Sequence, residues 1–294
     1  MIAQPDRPPA ARPDPPPAPS IATSSATASP PSAARWTALR RLDWDTAFFG
    51  ATMGAIVRVG EPDAASPQEQ AEALERDLAT ALADARAGGY AHVIFRASAD
   101  DLPAVWAAED AGLRLVDVGV DSTIRLDRTA VPQPAGGSAP LAIRAATDND
   151  VPALRDLAGS AFVLSRFSAD PFFSPEQVMA FHRQWVANLC QGLADAVLVC
   201  EVEGRLAGFV SCARTGDEGR IPLIATDARF RRRGIGRTLV DAALLWFATA
   251  GAGVAHVKTQ AHNYPALALY HRAGFTVSKT ELTFSAALGA ATRP

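Results

Sequence analysis

Arg231-Arg232-Arg233-Gly234-Ile235-Gly236 lies between a strand-like run, Ile221-Pro222-Leu223-Ile224-Ala225-Thr226, and an apolar helical segment from Arg237 to Ala250. A strand, a short turn and a glycine-rich helix start thus follow one another, with three arginines on the turn. The first N–H groups of a helix have no partners within it, and the aligned peptide dipoles leave that end partly positive. A diphosphate suits such a place, and glycine lets its oxygens approach the main chain. The spacing is neither G-x-G-x-x-G nor a P-loop, which needs Lys after its last Gly.

The pattern reads R-x-x-G-x-G. Downstream, Val254 to Gln260 reads as another strand, and Asn263 to Phe275 contains N-x-x-A-x-x-x-Y-x-x-x-G-F. In this order and separation the two motifs resemble the acetyl-coenzyme A site of the GCN5-related N-acetyltransferases, the GNAT family. The resemblance implies an α/β fold of the α+β type, with a central mixed, mostly antiparallel sheet flanked by helices. It also implies acetyl-CoA as cosubstrate. Leu223, Ile224 and Ala225 would line a gap between two splayed parallel strands and offer main-chain hydrogen bonds. Arg231, Arg232, Arg233, Gly234, Ile235 and Gly236 would hold the diphosphate. Asn263 would contact the cofactor, although its position also suits an N-cap.

Tyr270 stands where the family places its general acid. A free phenol has a pKa of about 10 and a thiol about 8.5, so the phenol is protonated at neutral pH and can supply the departing thiolate. Tyrosine on such a helix also suits a core. No general base is evident; acids in several loops, a water chain, His182 and His262 are all open. Pro222 departs from the glycine associated with this strand and removes one N–H.

Leu42 to Gly50, Ala55 to Val59, Ala161 to Phe167 and Phe181 to Asn188 resemble GNAT enzymes that acetylate dTDP-linked amino sugars. The resemblance implies a nucleotide sugar like dTDP-4-amino-4,6-dideoxygalactose as acceptor, within surface-glycan synthesis. Arg166, read as lying on a loop before a helix that starts at Ser174, is suited to a phosphate through bidentate hydrogen bonds. Trp44, with Phe48 or Phe49, is suited to a sugar or thymine face, and clustered aromatics suit a core as well. Two alternatives stay open: a GNAT enzyme for another small amine, antibiotic or protein N-terminus, and a catalytically silent coenzyme A-binding sensor.

The chain of 294 residues has room for two modest domains, and its 48% hydrophobic content is enough to bury cores. A net charge of −3 gives no support for a nucleic-acid partner. Cys190, Cys200 and Cys212 fit no disulfide framework or zinc site, and no H-E-x-x-H occurs, so no metal is expected. No apolar run approaches the ~20 residues of a membrane span. A cytoplasmic protein is expected, with a homodimer as an option.

Residues 1–35 are rich in Pro, Ala and Ser, lack a signal-peptide centre, and are expected to form a disordered tail. An α/β unit over 36–127, a linker over 128–140, the acetyltransferase unit over 141–287 and a tail over 288–294 follow. In the first unit, Ser66-Pro67-Gln68-Glu69 has the form of a capping box, and Leu74, Leu78 and Leu82 mark one helix face. Trp106 to Leu115 and Tyr270 to Val277 both read as helix, Ala-Gly and strand. This suggests a duplication of which only the second copy binds the cofactor. Glycine is also the usual helix stop, so a shared junction explains the likeness equally well.

Overall fold

The computed structural model describes residues 35–64, 66–126 and 141–289. The expected tail before Arg35, the expected linker and residues 290–294 lie outside the described residues.

The first half runs β1 (Thr37–Arg41), α1 (Asp43–Phe49), β2 (Met53–Arg58), α2 (Pro67–Ala87), β3 (His92–Ser98), α3 (Leu102–Asp110) and β4 (Arg114–Arg125). After the undescribed segment come β5 (Ala142–Ala145), α4 (Val151–Ala161), α5 (Arg166–Ala169), α6 (Pro175–Asn188), β6 (Ala196–Val202) and β7 (Arg205–Thr215). The chain ends with β8 (Glu218–Ile221), β9 (Ile224–Thr226), α7 (Ile235–Thr249), β10 (Val254–Gln260), α8 (Tyr264–Arg272) and β11 (Thr276–Ala287).

Local chemistry sets several of these limits. Ser66 Oγ accepts from the Glu69 N–H at 3.2 Å, and the Glu69 carboxylate accepts from the Ser66 N–H at 3.1 Å. Two orphan donors are satisfied at once, with Pro67 preset for the first turn. Leu74, Leu78 and Leu82 are then buried on one face of α2. Ser174 and Gln177 form the same box at the start of α6.

The strands form one sheet in the order β1-β2-β3-β11-β4-β10-β8-β7-β6-β5, with β9 paired to β7. Only β2–β3 and β8–β10 are parallel among the described pairs. The order reads alike from both sides of its middle. In each half an antiparallel neighbour, a strand, a long helix, a parallel strand, a short helix, a left-handed glycine and a final strand follow in turn. The glycines are Gly112 (φ 75°) before β4 and Gly274 (φ 97°) before β11.

The final strands are exchanged: β11 sits between β3 and β4, and β4 sits between β11 and β10. The two Ala-Gly junctions noticed in the sequence therefore occupy matching places. The sheet is continuous across both sequence units.

Side-chain alternation separates two cores in the second half. Val197, Val199, Phe209, Leu223 and Ala225 pack with α4, α5 and α6. Cys200, Val210, Cys212 and Ile221 face the other way, onto α7. Val93, Phe95 and Ala97 of β3, with Phe284 of β11, pack against α2 and α3.

Candidate active site

The run Ile221 to Thr226, expected as one strand, is broken in two. β8 pairs with β10 in parallel as far as Ile221↔Val257. Pro222 follows and has no N–H to continue the ladder. Leu223 turns to β7 instead. Its N–H donates to Ser211 Oγ at 2.9 Å, and its carbonyl accepts from the Ser211 N–H at 2.9 Å and hydroxyl at 3.1 Å. β9 then pairs with β7 alone, so β9 and the end of β10 diverge into a gap.

Antiparallel pairs alternate between bonded and non-bonded positions. Ser211 N–H to Leu223 O and Asp227 N–H to Ala207 O, both 2.9 Å, make 223, 225 and 227 the bonded positions. The main-chain groups of Ile224 and Thr226 therefore point away from β7, into the gap. Leu223 and Ala225 direct theirs to β7 and bury their side chains toward α4–α6. Of the three residues expected to offer main-chain bonds there, Ile224 alone has them so directed.

Replacing Ser211 by Ala leaves the buried Leu223 N–H without this acceptor. We expect a loss of about 1–3 kcal/mol in urea unfolding. An unchanged midpoint would mean that the main chain repairs the bulge without the hydroxyl.

Helix α7 begins after Gly234, which is left-handed (φ 81°), and has no side-chain cap. By contrast α2, α6 and α8 are capped by Ser66, Ser174 and Asn263. The first backbond is from the Thr238 N–H to Gly234 O at 3.0 Å, so the N–H groups of Ile235, Gly236 and Arg237 are open. Arg231, Arg232 and Arg233 are exposed on the turn, and Arg232 is also left-handed (φ 62°). A Cβ on Gly236 would lie 3.3 Å from Leu269 Cδ2 and 3.8 Å from Thr226 Oγ1, so this bare position faces the mouth between β9 and α8. Open N–H groups, three arginines and a glycine at the mouth fit the diphosphate of acetyl-CoA.

Asn263 is the N-cap of α8. Its Oδ1 accepts from the Ala266 N–H at 3.4 Å, and its Nδ2 donates to Thr259 Oγ1 at 3.1 Å, tying the helix to the end of β10. Tyr270 is 4% exposed and packs edge-on against Phe275, in the cluster that holds Ile235, Val257 and Ile224. Burial pushes its phenol well above the ordinary value. Among the described residues, nothing accepts a hydrogen bond from its hydroxyl.

The other face of the sheet carries polar groups under α5. Arg166 is the first residue of α5, behind the Ser165 cap, rather than on a loop. Its guanidinium lies 3.8 Å from the Phe167 ring centroid and 3.6 Å from Asp45 Oδ1, with the side chain 15% exposed. Burial, and then the charge of Arg96, pull its pKa down to about 10, so it stays cationic at neutral pH. Trp44 stacks on Phe48 at 5.2 Å and meets Phe181 edge-on at 5.3 Å. One indole face is thus taken by the aromatic core, which also holds Phe49.

Asp117 on β4 is 8% exposed. Burial raises its carboxyl above the ordinary range, against hydrogen bonds from the Gln260 side chain and the Val118 N–H and the charges of Arg166 and His262. Its Oδ1 is buried without a partner among the described residues. His182 donates from Nδ1 to Val178 O at 2.8 Å, and burial lowers its pKa to about 4, leaving a neutral ring at pH 7. His262 is exposed on the turn after β10. Lys258 bridges Asp121 at 3.2 Å and Glu281 at 2.8 Å on the same sheet face.

Cys200 and Cys212 are fully buried, and burial lifts the Cys212 thiol to about 12. Among the described residues, no group of three or more His, Cys, Asp or Glu could hold a metal ion. No described helix is long and apolar enough to cross a membrane. Ser211, Thr226 and Asp117 were missed in the sequence; their signal was a polar side chain next to apolar strand residues.

Residues 162–275 match the acetyltransferase (GNAT) family. The chain is 29% identical over 250 residues to a dTDP-fucosamine acetyltransferase of Escherichia coli O6:H1, covering 81% of this chain and 93% of that one. It is 28% identical over 131 residues to the spore coat polysaccharide biosynthesis protein SpsD of Bacillus subtilis, 45% of each chain. A GCN5-related N-acetyltransferase from Sphaerobacter thermophilus has a similar structure, with a TM-score of 0.58 and 17% identity, over 82% of this chain and 74% of that one. The diverging strands and the open helix start both lie within residues 162–275, the segment that matches a GNAT acetyltransferase domain.

Proposed function

We propose that this enzyme transfers acetyl from acetyl-CoA to the amine of a nucleotide-linked amino sugar like dTDP-4-amino-4,6-dideoxygalactose, by direct attack of the amine on the thioester. The observation that carries the reading is similarity to dTDP-fucosamine acetyltransferase along most of both chains. The half-buried cationic Arg166 beside the polar sheet face supports it, since a nucleotide sugar brings a diphosphate. The name of the SpsD relative also concerns polysaccharide synthesis. The reading carries with it a cytoplasmic site of action in surface-glycan synthesis.

In this mechanism the N–H groups of Ile235 and Gly236 and the side chains of Arg231, Arg232 and Arg233 receive the coenzyme diphosphate. Ile224 and Thr226 bond the pantetheine amides across the gap. As the amine attacks, negative charge grows on the carbonyl oxygen, and the Ile224 N–H is the main-chain donor for it. Tyr270 gives its proton to the departing thiolate. Asn263 holds the end of β10 against α8. Arg166 binds the sugar-nucleotide diphosphate, and the open side of Trp44 covers the sugar or base.

Thiol release from acetyl-CoA tests the reading, with dTDP-4-amino-4,6-dideoxygalactose beside the free amino sugar. Turnover is expected with the nucleotide form alone. Equal rates with both would favour a simpler amine as acceptor. Tight acetyl-CoA binding without turnover of any amine would favour a silent cofactor-binding module.

A further inference from the structure

We propose that Asp117 receives the acceptor amine: its free carboxylate oxygen takes the substrate ammonium and then one of its protons. The inference rests on the acetyl-transfer reading and assigns the base that the sequence left open.

Three observations carry it. Asp117 is buried in a strand between Val116 and Val118, and its Oδ1 has no partner among the described residues. Burying a carboxylate in this state is costly unless a cation arrives to pair with it. Its position is also pertinent. Gly119 pairs with Gln260, the last residue of β10, and the Ala261 N–H donates to Val118 O at 2.7 Å. Asp117 therefore lies just past the end of the strand that walls the gap opposite Ile224 and Thr226.

The third observation is charge. The groups facing Asp117 are Gln260 and His262 from β10 and its turn, and Arg166 from α5. Thr283 is its partner on β11, with Arg96 on β3 one strand beyond. Arg166 lies against Asp45 and Phe167 and does not bond Oδ1. Arg166 and Asp117 thus offer neighbouring sites of opposite sign, matching an acceptor with phosphate and amine on one molecule.

The protons balance. Oδ1 takes one proton from R–NH3+, and the freed lone pair attacks the thioester carbon. The C–S bond breaks, and the thiolate takes the Tyr270 proton. The surplus proton on the new amide nitrogen returns to Tyr270, and Asp117 releases its own to solvent after the product leaves. Burial, by raising the carboxyl, brings it closer to the pH at which it must accept a proton.

Asp117→Asn keeps the shape and removes the charge. With the nucleotide amino sugar, kcat/KM is expected to fall at least about 30-fold, while the acetyl-CoA Kd stays unchanged. Retained kcat/KM would overturn the inference. A second arm needs no acceptor. Since the folded-state pKa of Asp117 is raised, its ionisation costs stability as pH rises through that pKa. The Asn variant should therefore melt above wild type near pH 8, with the gain shrinking toward about pH 3. A variant that melts lower near pH 8 marks Asp117 as a structural carboxylate and overturns the inference. If wild type turns over neither sugar, the proposed substrate falls, and this melting comparison still decides for or against a carboxylate held at a cost to the fold.

Discussion

Tyr270→Phe lowers kcat by about 100-fold or more, the usual scale of a positioned acid, with acetyl-CoA affinity nearly unchanged. The substitution removes one oxygen and keeps the ring that packs 5.9 Å from Phe275. The cluster around Ile235 and Val257 should stay filled, so the melting temperature and the Kd report intact architecture. Expulsion of a thiolate without a proton donor raises the barrier, and only the chemical step registers it. Because burial pushes the phenol upward, the alkaline limb of the wild-type pH profile should lie above the range of an ordinary tyrosine and vanish in the variant. Single-turnover acetyl transfer beside calorimetric Kd separates the two quantities. Unchanged kcat would remove Tyr270 as the acid, and joint loss of binding and rate would recast it as a wall of the site.

Gly236→Val should weaken acetyl-CoA binding roughly 10- to 100-fold, equivalent to about 1–3 kcal/mol of overpacking. A Cβ alone already comes 3.3 Å from Leu269 Cδ2. The two further methyls of valine must crowd either Leu269 or the mouth beside Thr226, where the open N–H groups of α7 await an anion. Valine is a better helix residue than glycine, so reduced stability would not explain the loss. Gly236→Ala needs Leu269 to yield only slightly and should show an intermediate Kd. An unaltered Kd for the valine variant, measured by calorimetry, would mean that the diphosphate is bound away from this helix start.

Features set by neighbours in sequence were legible. The boxes at Ser66 and Ser174 declare their helices within four residues, and the arginine–glycine turn declares the uncapped start of α7. The break after Ile221 was half visible, because Pro222 stood in the strand. Its geometry depends on Ser211, a hydroxyl on the neighbouring strand whose role only pairing reveals. Arg166 reads from the sequence as a loop residue but opens the short helix α5, since four residues are too few for a helical period. Trp44 was singled out for a ligand, and its edge-on contact with Phe181 became visible only when α1 met α6. Asp117 could have been flagged as one acid among Val116, Val118 and Val120. Its partnerless oxygen emerges only from the meeting of β4, β10 and α5. The exchange of β4 and β11 left a trace in the repeated Ala-Gly junction, but no local pattern says which strand a final strand will join.

That exchange sets a schedule for biosynthesis. β3 and β4 leave the ribosome early, yet their strand pairing is completed by β11, which pairs Phe284 with Phe95 and Thr283 with Asp117. At about 5–20 residues per second, the stretch from β4 to the end of β11 takes roughly 10–30 s to make. Throughout that interval two strand edges stand open, the condition that invites pairing with a stranger. Nascent chains of this protein should therefore depend on holding chaperones until the last strand arrives, and a stop codon before Thr276 should be as damaging to the first half as to the second.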